Sequence, residues 1–323
     1  MQQNYYTPPQ APPMFTSAQM RQMARTKLRG KWKKAIPIFT VYLLIAQLPA
    51  IILALTGNST MITLTPEMFT GEVLPTLPKL SWIGTVYSFL TAGALAVSIS
   101  TLSLNIIRDE YFSMSTLASG FKRFGQSFRT YLLYIIYSFL WAMIFMLAPM
   151  LVMTGGMLAG ANFVTALGIG MMFGCSIGAA IFVLRYQLAY YVATDNPGMK
   201  AAYALANSSK LMRGNKMKFI LLSLSFIGWM ILAAIPEGIC QMFFSKYMVG
   251  GNIGMLILAI VTMLISAVAA GALGAYTHTA LAVFYSSASG FFRTKEQYAP
   301  DPEPYTTLTP ENIQDEINNM ARK

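Results

Sequence analysis

"TYLLYIIYSFLWAMIFMLAPMLVMTGGMLAGANFVTALGIGMMFGCSIGAAIFVL" runs from Thr130 to Leu184 without one charged side chain. About 20 apolar residues cross a hydrocarbon core of roughly 30 Å, so a stretch this long holds two transmembrane helices. The split between them is expected at Thr154-Gly155-Gly156, where turn-prone residues interrupt the run. Four further uncharged stretches repeat the signal at 37–65, 80–107, 219–236 and 252–292. Together they predict an all-α membrane protein with six transmembrane helices, over 36–56, 81–107, 130–152, 162–185, 218–236 and 254–285.

Composition agrees with that class. Hydrophobic residues make up 55% of the chain and charged residues 11%, whereas soluble domains carry about 25% charge. The formal net charge is +11, and its placement predicts the orientation. With both termini cytoplasmic, every lysine and arginine except Lys79 and Lys246 falls on the cytoplasmic side, as the positive-inside rule requires. The charge is therefore the property of one membrane face, and nucleic acid is not an expected partner. Residues 1–16 lack both the basic start and the apolar core of a signal peptide and read as a disordered leader. Residues 17–292 form the membrane domain, and 293–323 form a cytoplasmic tail.

Catalytic signals are sparse. His278 is the sole histidine, no Asp or Glu lies inside a predicted span, and no phosphate-cradling Gly-rich loop is present. Cys175 and Cys240 sit in apolar surroundings and read as small hydrophobes rather than a disulfide or a metal site. No catalytic residue, metal or cofactor is expected, and neither is an enzyme. His278 reads as a structural residue hydrogen-bonded to the flanking Thr277 and Thr279, with a proton relay as the alternative.

One polar segment stands out between the fourth and fifth spans: "DNPGMKAAYALANSSKLMRGNK", Asp195 to Lys216. Asp195 or Asn196 can cap a helix there, Pro197 suits its first position, and Gly214-Asn215 suits its stop. At 100° per residue, Ala201, Ala204, Leu205, Ser208, Leu211 and Met212 share one side. Lys200, Tyr203, Asn207, Lys210 and Arg213 share the other, so the helix is amphipathic and about four turns long. Its basic residues, Lys200, Lys210, Arg213, Lys216 and Lys218, are candidates for contact with anionic lipid head groups. Alternatively, they only anchor the topology.

Related grammar recurs. "ARTKLRGKWKKAI" (24–36) enters span one much as "ANSSKLMRGNKMKFI" (206–220) enters span five, and "LASGFKRFGQSFRTYLL" (117–133) enters span three more loosely. Three repeats follow, each an interfacial basic helix and a two-span hairpin. Within span four, Ala166, Gly170, Gly174 and Gly178 lie four apart and make a ridge of small residues for helix packing. That ridge serves either intramolecular packing or homo-oligomerisation.

The segment 193–239 resembles the signature of an uncharacterised family of bacterial multi-pass integral membrane proteins, the domain of unknown function family nine-seven-five. The resemblance rests on Asp195, Asn196 and Pro197, which would open a cytoplasmic helix, and on Ser208, Met212, Gly214, Asn215 and Lys216, which would close it. It rests also on Ser225 to Trp229 in the following span, and extends over roughly residues 20 to 290. It implies a bacterial cytoplasmic-membrane location and no established activity. The expectation from the residues is a non-catalytic accessory or membrane-organising protein whose basic cytoplasmic face meets anionic lipid or partners. The alternative is a permease-like transporter of a small or lipid-like substrate. The tail segment "TPENIQDEINNMARK" (309–323) has a cap at Thr309, an apolar stripe at Ile313, Ile317 and Met320, and the form of a tethered helix that docks a protein partner.

Overall fold

The computed structural model describes residues 15–55, 81–250 and 253–292. Residues 1–14 of the expected leader, the segment carrying Lys79 and the expected tail segment 309–323 lie outside the described residues. The chain divides into a body, Phe15–Tyr285, and a second unit made of Met1–Met14 and Ser286–Lys323. Of the second unit, only the end of the last helix and the residues to 292 are described.

The body is helical. Helix α1 (Ser17–Leu28) opens with a capping box: the Thr16 hydroxyl accepts from the Gln19 N–H, and the Gln19 side chain accepts from the Thr16 N–H. Two orphan donors of the first turn are thereby satisfied. Met20, Ala24 and Leu28, at i, i+4 and i+8, are fully buried, so one stripe packs inward while the basic residues stay outside. The chain then turns at Gly30, whose φ of +78° suits a residue without a Cβ, and enters α2 (Trp32–Leu55). Next come α3 (Ser81–Arg108), the short α4 (Ser119–Lys122), and α5 (Phe124–Leu158) with its hairpin partner α6 (Asn162–Val183). Short helices α7 (Ala189–Asp195), α8 (Ala201–Leu211) and α9 (Lys216–Leu224) precede the last hairpin, α10 (Ile227–Gly250) and α11 (Ile253–Ser289).

Six of these segments are long and apolar enough to cross a membrane. The second is the central one: 67% of the α3 span is buried, against 17% or less in any other. Ala94, Ser98 and Ser103 are fully buried, and such small residues let neighbouring helices close on α3 from several sides. Its Ser100 and Ser103 hydroxyls donate back to the Ala96 and Ile99 carbonyls at 2.8 and 2.7 Å, so no hydroxyl on that surface needs water. The core gathers around the C-terminal half of α3, α7 and the C-terminal half of α11. Farther along the hairpins, large apolar side chains such as Leu147, Leu151, Phe173, Ile231 and Leu264 are exposed, which only a lipid surrounding tolerates on this scale.

Three features differ from the sequence-based expectation. Helix α5 continues through Thr154-Gly155-Gly156, and the chain reverses only at residues 159–161, with Gly160 at φ +64°. The glycine pair was expected as a turn, yet Gly156 serves close approach: a Cβ there would fall 2.5 Å from the Thr165 nitrogen. Span five also shifts. Residues 216–224 form a separate helix, α9, and the spanning helix starts at Ile227, which draws Glu237 and Lys246 into the apolar segment 227–247. Finally, the small-residue ridge of α6 does not pack as a unit inside the chain. Gly170 and Gly174 have nothing within 4 Å of a built Cβ, and Ala166 is exposed. Of the ridge only Gly178 packs within the hairpin, against Phe145; the other close approach is made off the ridge, by Gly168 against Met153.

The basic entries to the hairpins are not all built alike. The first and third combine a helix of eleven or twelve residues with a positive-φ glycine, Gly30 at +78° and Gly214 at +79°. The second uses a 3₁₀ turn (Met114–Ala118), the four-residue α4 and a break at Arg123 with φ −111°.

Candidate functional site

The basic residues and the helix ends that hold them converge at the exit of α3. Asp109 follows the last helical residue with φ +60°, a left-handed conformation that Asp tolerates better than most residues. Held there, its carboxylate receives the Lys27 ammonium and, at 2.8 Å, that of Lys31. Lys31 Nζ also donates to the Ile106 carbonyl at 3.1 Å, so one lysine fastens the α1–α2 connection to both a charge and a helix end. Hydrogen bonds from Lys27 and Lys31 hold the Asp109 carboxyl below its usual range.

A group whose folded pKa is depressed stabilises the fold above its unfolded pKa, about 3.9 for Asp, and ceases to do so as pH falls through the folded value. The Asp109 side chain is 52% exposed, which limits the contribution to roughly 1 kcal/mol or less. Asp109→Asn is therefore expected to lower the melting temperature in detergent by a few degrees near pH 7. The difference should begin to shrink as the pH falls below about 4 and close once it passes below the folded pKa of Asp109. A constant gap across that range would exclude the ion pairs as its cause.

The neighbouring Arg108 reaches the other way. Its Nη2 contacts Asp195 Oδ2 at 2.8 Å, and the Tyr285 hydroxyl donates to the same oxygen at 2.9 Å. Tyr285 stacks on Tyr191 with ring centroids 5.4 Å apart. Asp195 thus ties together α3, α7 and α11 instead of capping a helix. The expected helix start at Asp195, Asn196 or Pro197 is replaced by a break. Asn196 is the C-cap of α7, Gly198 turns at φ +83°, and α8 begins only at Ala201, giving three turns. Gln126 holds this turn, donating to the Asn196 carbonyl at 2.9 Å and accepting from the Gly198 N–H at 3.2 Å.

On α8, Ala204, Leu205 and Ser208 are buried, as is Met212 just beyond it. The Ser208 hydroxyl donates to the Arg185 carbonyl at 2.7 Å and accepts from the Leu188 N–H at 3.1 Å, so it satisfies the peptide groups where α6 gives way to α7. Lys200, Lys210 and Arg213 are exposed, and none of the three pairs with a carboxylate among the described residues. Lys216 is half-buried with Nζ 5.4 Å from the Phe182 ring centroid, and burial followed by the Arg185 charge pushes its pKa down. Arg185 itself lies 4.8 Å from the Phe182 ring and 5.1 Å from Trp141. Lys218 is half-buried, Gly214 makes the expected left-handed stop, and Asn215 bonds the Leu211 carbonyl at 3.0 Å. Trp229 is exposed on α10.

Two polar groups depart from their predicted surroundings. Glu237, expected outside the membrane, accepts from Ser266 at 2.7 Å and from Gln241 at 3.1 Å. The His278 ring lies 6.0 Å from Phe39 and 6.2 Å from Tyr42. The Thr277 hydroxyl meant for it donates to the Gly274 carbonyl instead. No three His, Cys, Asp or Glu side chains among the described residues could hold a metal ion.

Fold and site together define a six-span, all-α membrane protein whose basic helix ends are locked to the centre of the bundle by two aspartates. The chain belongs to the family described as Protein of unknown function (DUF975), whose model matches residues 14–290. No curated protein and no solved structure matches it.

Proposed function

We propose that this chain is a non-catalytic accessory or organising protein of the bacterial cytoplasmic membrane, with its termini and basic helix ends on the cytoplasmic side. One observation carries this reading. Asp109 and Asp195 are engaged by Lys27, Lys31 and Arg108, while Lys200, Lys210 and Arg213 stay exposed without a carboxylate partner among the described residues. The uncompensated charge lies beside the points where spans enter and leave, where anionic head groups are the available counter-ions. Each such residue contributes on the order of 1 kcal/mol at an anionic surface.

Replacing Lys200, Lys210 and Arg213 by Gln should reduce co-purified phosphatidylglycerol severalfold and raise protease cleavage within residues 197–216. Both effects should be mimicked in the parent protein by raising ionic strength, which shortens the Debye length. If bound lipid, cleavage and topology all match the parent, these residues do not hold lipid.

A further inference from the structure

Between the start of the first span and the last hairpin lies a groove of about 640 Å³, within the roughly 300–1,000 Å³ of small-molecule sites. Its long wall is Trp229, Leu232, Ala233, Ile235 and Pro236 of α10, faced by Ala269, Ala272 and Leu273 of α11. Small residues at 233, 269 and 272 leave the space, because no side chain there is long enough to bridge the two helices. Only one end is polar. There Arg25 Nε donates to the Tyr276 hydroxyl at 2.8 Å, and the guanidinium carbon lies 5.6 Å from that ring's centroid. Tyr276 is in turn fixed edge-on against Phe226, with centroids 5.0 Å apart. Trp32 and Trp229 also line the groove, and indoles favour the boundary between head groups and acyl chains.

We infer that this groove binds one anionic phospholipid, its phosphate on Arg25 and the first part of one acyl chain along the α10–α11 wall. The inference rests on the proposed lipid-facing role of the basic helix ends and adds a defined site to it. Charge complementarity selects the occupant. Arg25 has no carboxylate partner among the described residues, and its hydrogen bond to Tyr276 uses Nε. Arg25 is exposed at the mouth of the groove, so its guanidinium is free to meet an anion there, and its planar fork matches phosphate oxygens in pairs. Length fits as well: Trp229 to Pro236 and Ala269 to Tyr276 each cover eight residues, seven rises of about 1.5 Å or about 10 Å. That accommodates the upper part of a chain, with the remainder in the surrounding bilayer.

The full chain in detergent would be titrated with dioleoyl phosphatidylglycerol or dioleoyl phosphatidylcholine, and bound lipid counted by native mass spectrometry. One phosphatidylglycerol should bind at least about tenfold more tightly than phosphatidylcholine, since a charge-assisted bond outweighs a neutral one. Arg25→Gln should abolish that preference, and Arg25→Lys should retain part of it. Ala272→Trp, which fills the groove, should weaken both lipids. Millimolar inorganic phosphate should displace neither. Melting temperature within a few degrees of the parent would establish that each variant folds. The Lys200, Lys210 and Arg213 triple variant separates the two ideas. If it keeps the single tight lipid, the groove stands independently of the exposed face. If it sheds lipid while Arg25→Gln and Ala272→Trp titrate like the parent, the groove is overturned and the surface contact survives. Displacement by phosphate alone would likewise overturn a lipid occupant.

Discussion

Gly120→Ala is expected to destabilise the protein by about 3 kcal/mol, the upper end of the overpacking range, whereas Gly125→Ala should be neutral or stabilising. Gly120 sits in α4 where the polypeptide crosses α3. A Cβ there would fall 1.9 Å from the Ala94 carbonyl oxygen and 2.7 Å from Ser98 Oγ. The first obstacle is backbone inside a buried helix and cannot swing aside. The crossing is also a hydrogen-bond node: Ser98 donates to the Leu117 carbonyl at 2.7 Å and accepts from the Gly120 N–H at 3.0 Å, while Ser127 donates to the Gly120 carbonyl at 3.0 Å. Pushing the chain off α3 therefore breaks several buried bonds at once. Gly125, five residues on, has nothing within 4 Å of a built Cβ, and a helical Ala there gains up to about 1 kcal/mol over Gly. Thermal melting of the detergent-purified variants compares them directly. Equal melting temperatures would mean that the crossing is not close-packed.

Asp195→Ala should cost about 3 kcal/mol, because it removes the carboxylate opposite Arg108 while that charge stays largely enclosed. Both side chains are 21% exposed, so solvent screening relieves only part of the penalty. The Tyr285 hydroxyl loses its acceptor in the same step. Removing both charges should be milder: Arg108→Met combined with Asp195→Leu is expected to melt above either single variant, since no ion is left without its counter-charge. Additive losses in the double variant would show that the pair is not coupled.

Much of the fold was legible because its signals are local. Uncharged stretches counted the spans, and Gly214 marked a helix stop that its own φ of +79° requires. What was not legible depends on rotation and distance. Gly156 and Gly160 look alike in sequence, yet the first allows two helices to touch and the second makes the turn. The ridge at Ala166, Gly170, Gly174 and Gly178 shares its spacing with a packing face, yet only Gly178 meets α5, because the rotation of α6 decides which residues face its partner. Glu237 was misplaced because the break at Ser225-Phe226 carries no Gly or Pro to announce it. Asp195 was read as a cap because Asp-Asn-Pro is local grammar for one, while its true partners, Arg108 and Tyr285, lie 87 and 90 residues away. The basic residues were visible, but their division into exposed Lys200, Lys210 and Arg213 and half-buried Lys216 and Lys218 was not.

The two clamps at the exit of α3 also differ in time. When a ribosome adds Asp109, Lys27 and Lys31 are already made, 82 and 78 residues earlier, so that clamp can close as soon as the second span is in place. Arg108 must wait 87 residues for Asp195, and Asp195 a further 90 for Tyr285. At about 5–20 residues per second, each wait lasts roughly 4–18 s. The nascent protein therefore assembles in a fixed order, with the amino-terminal helices fastened first and the last hairpin locked only once translation has passed Tyr285.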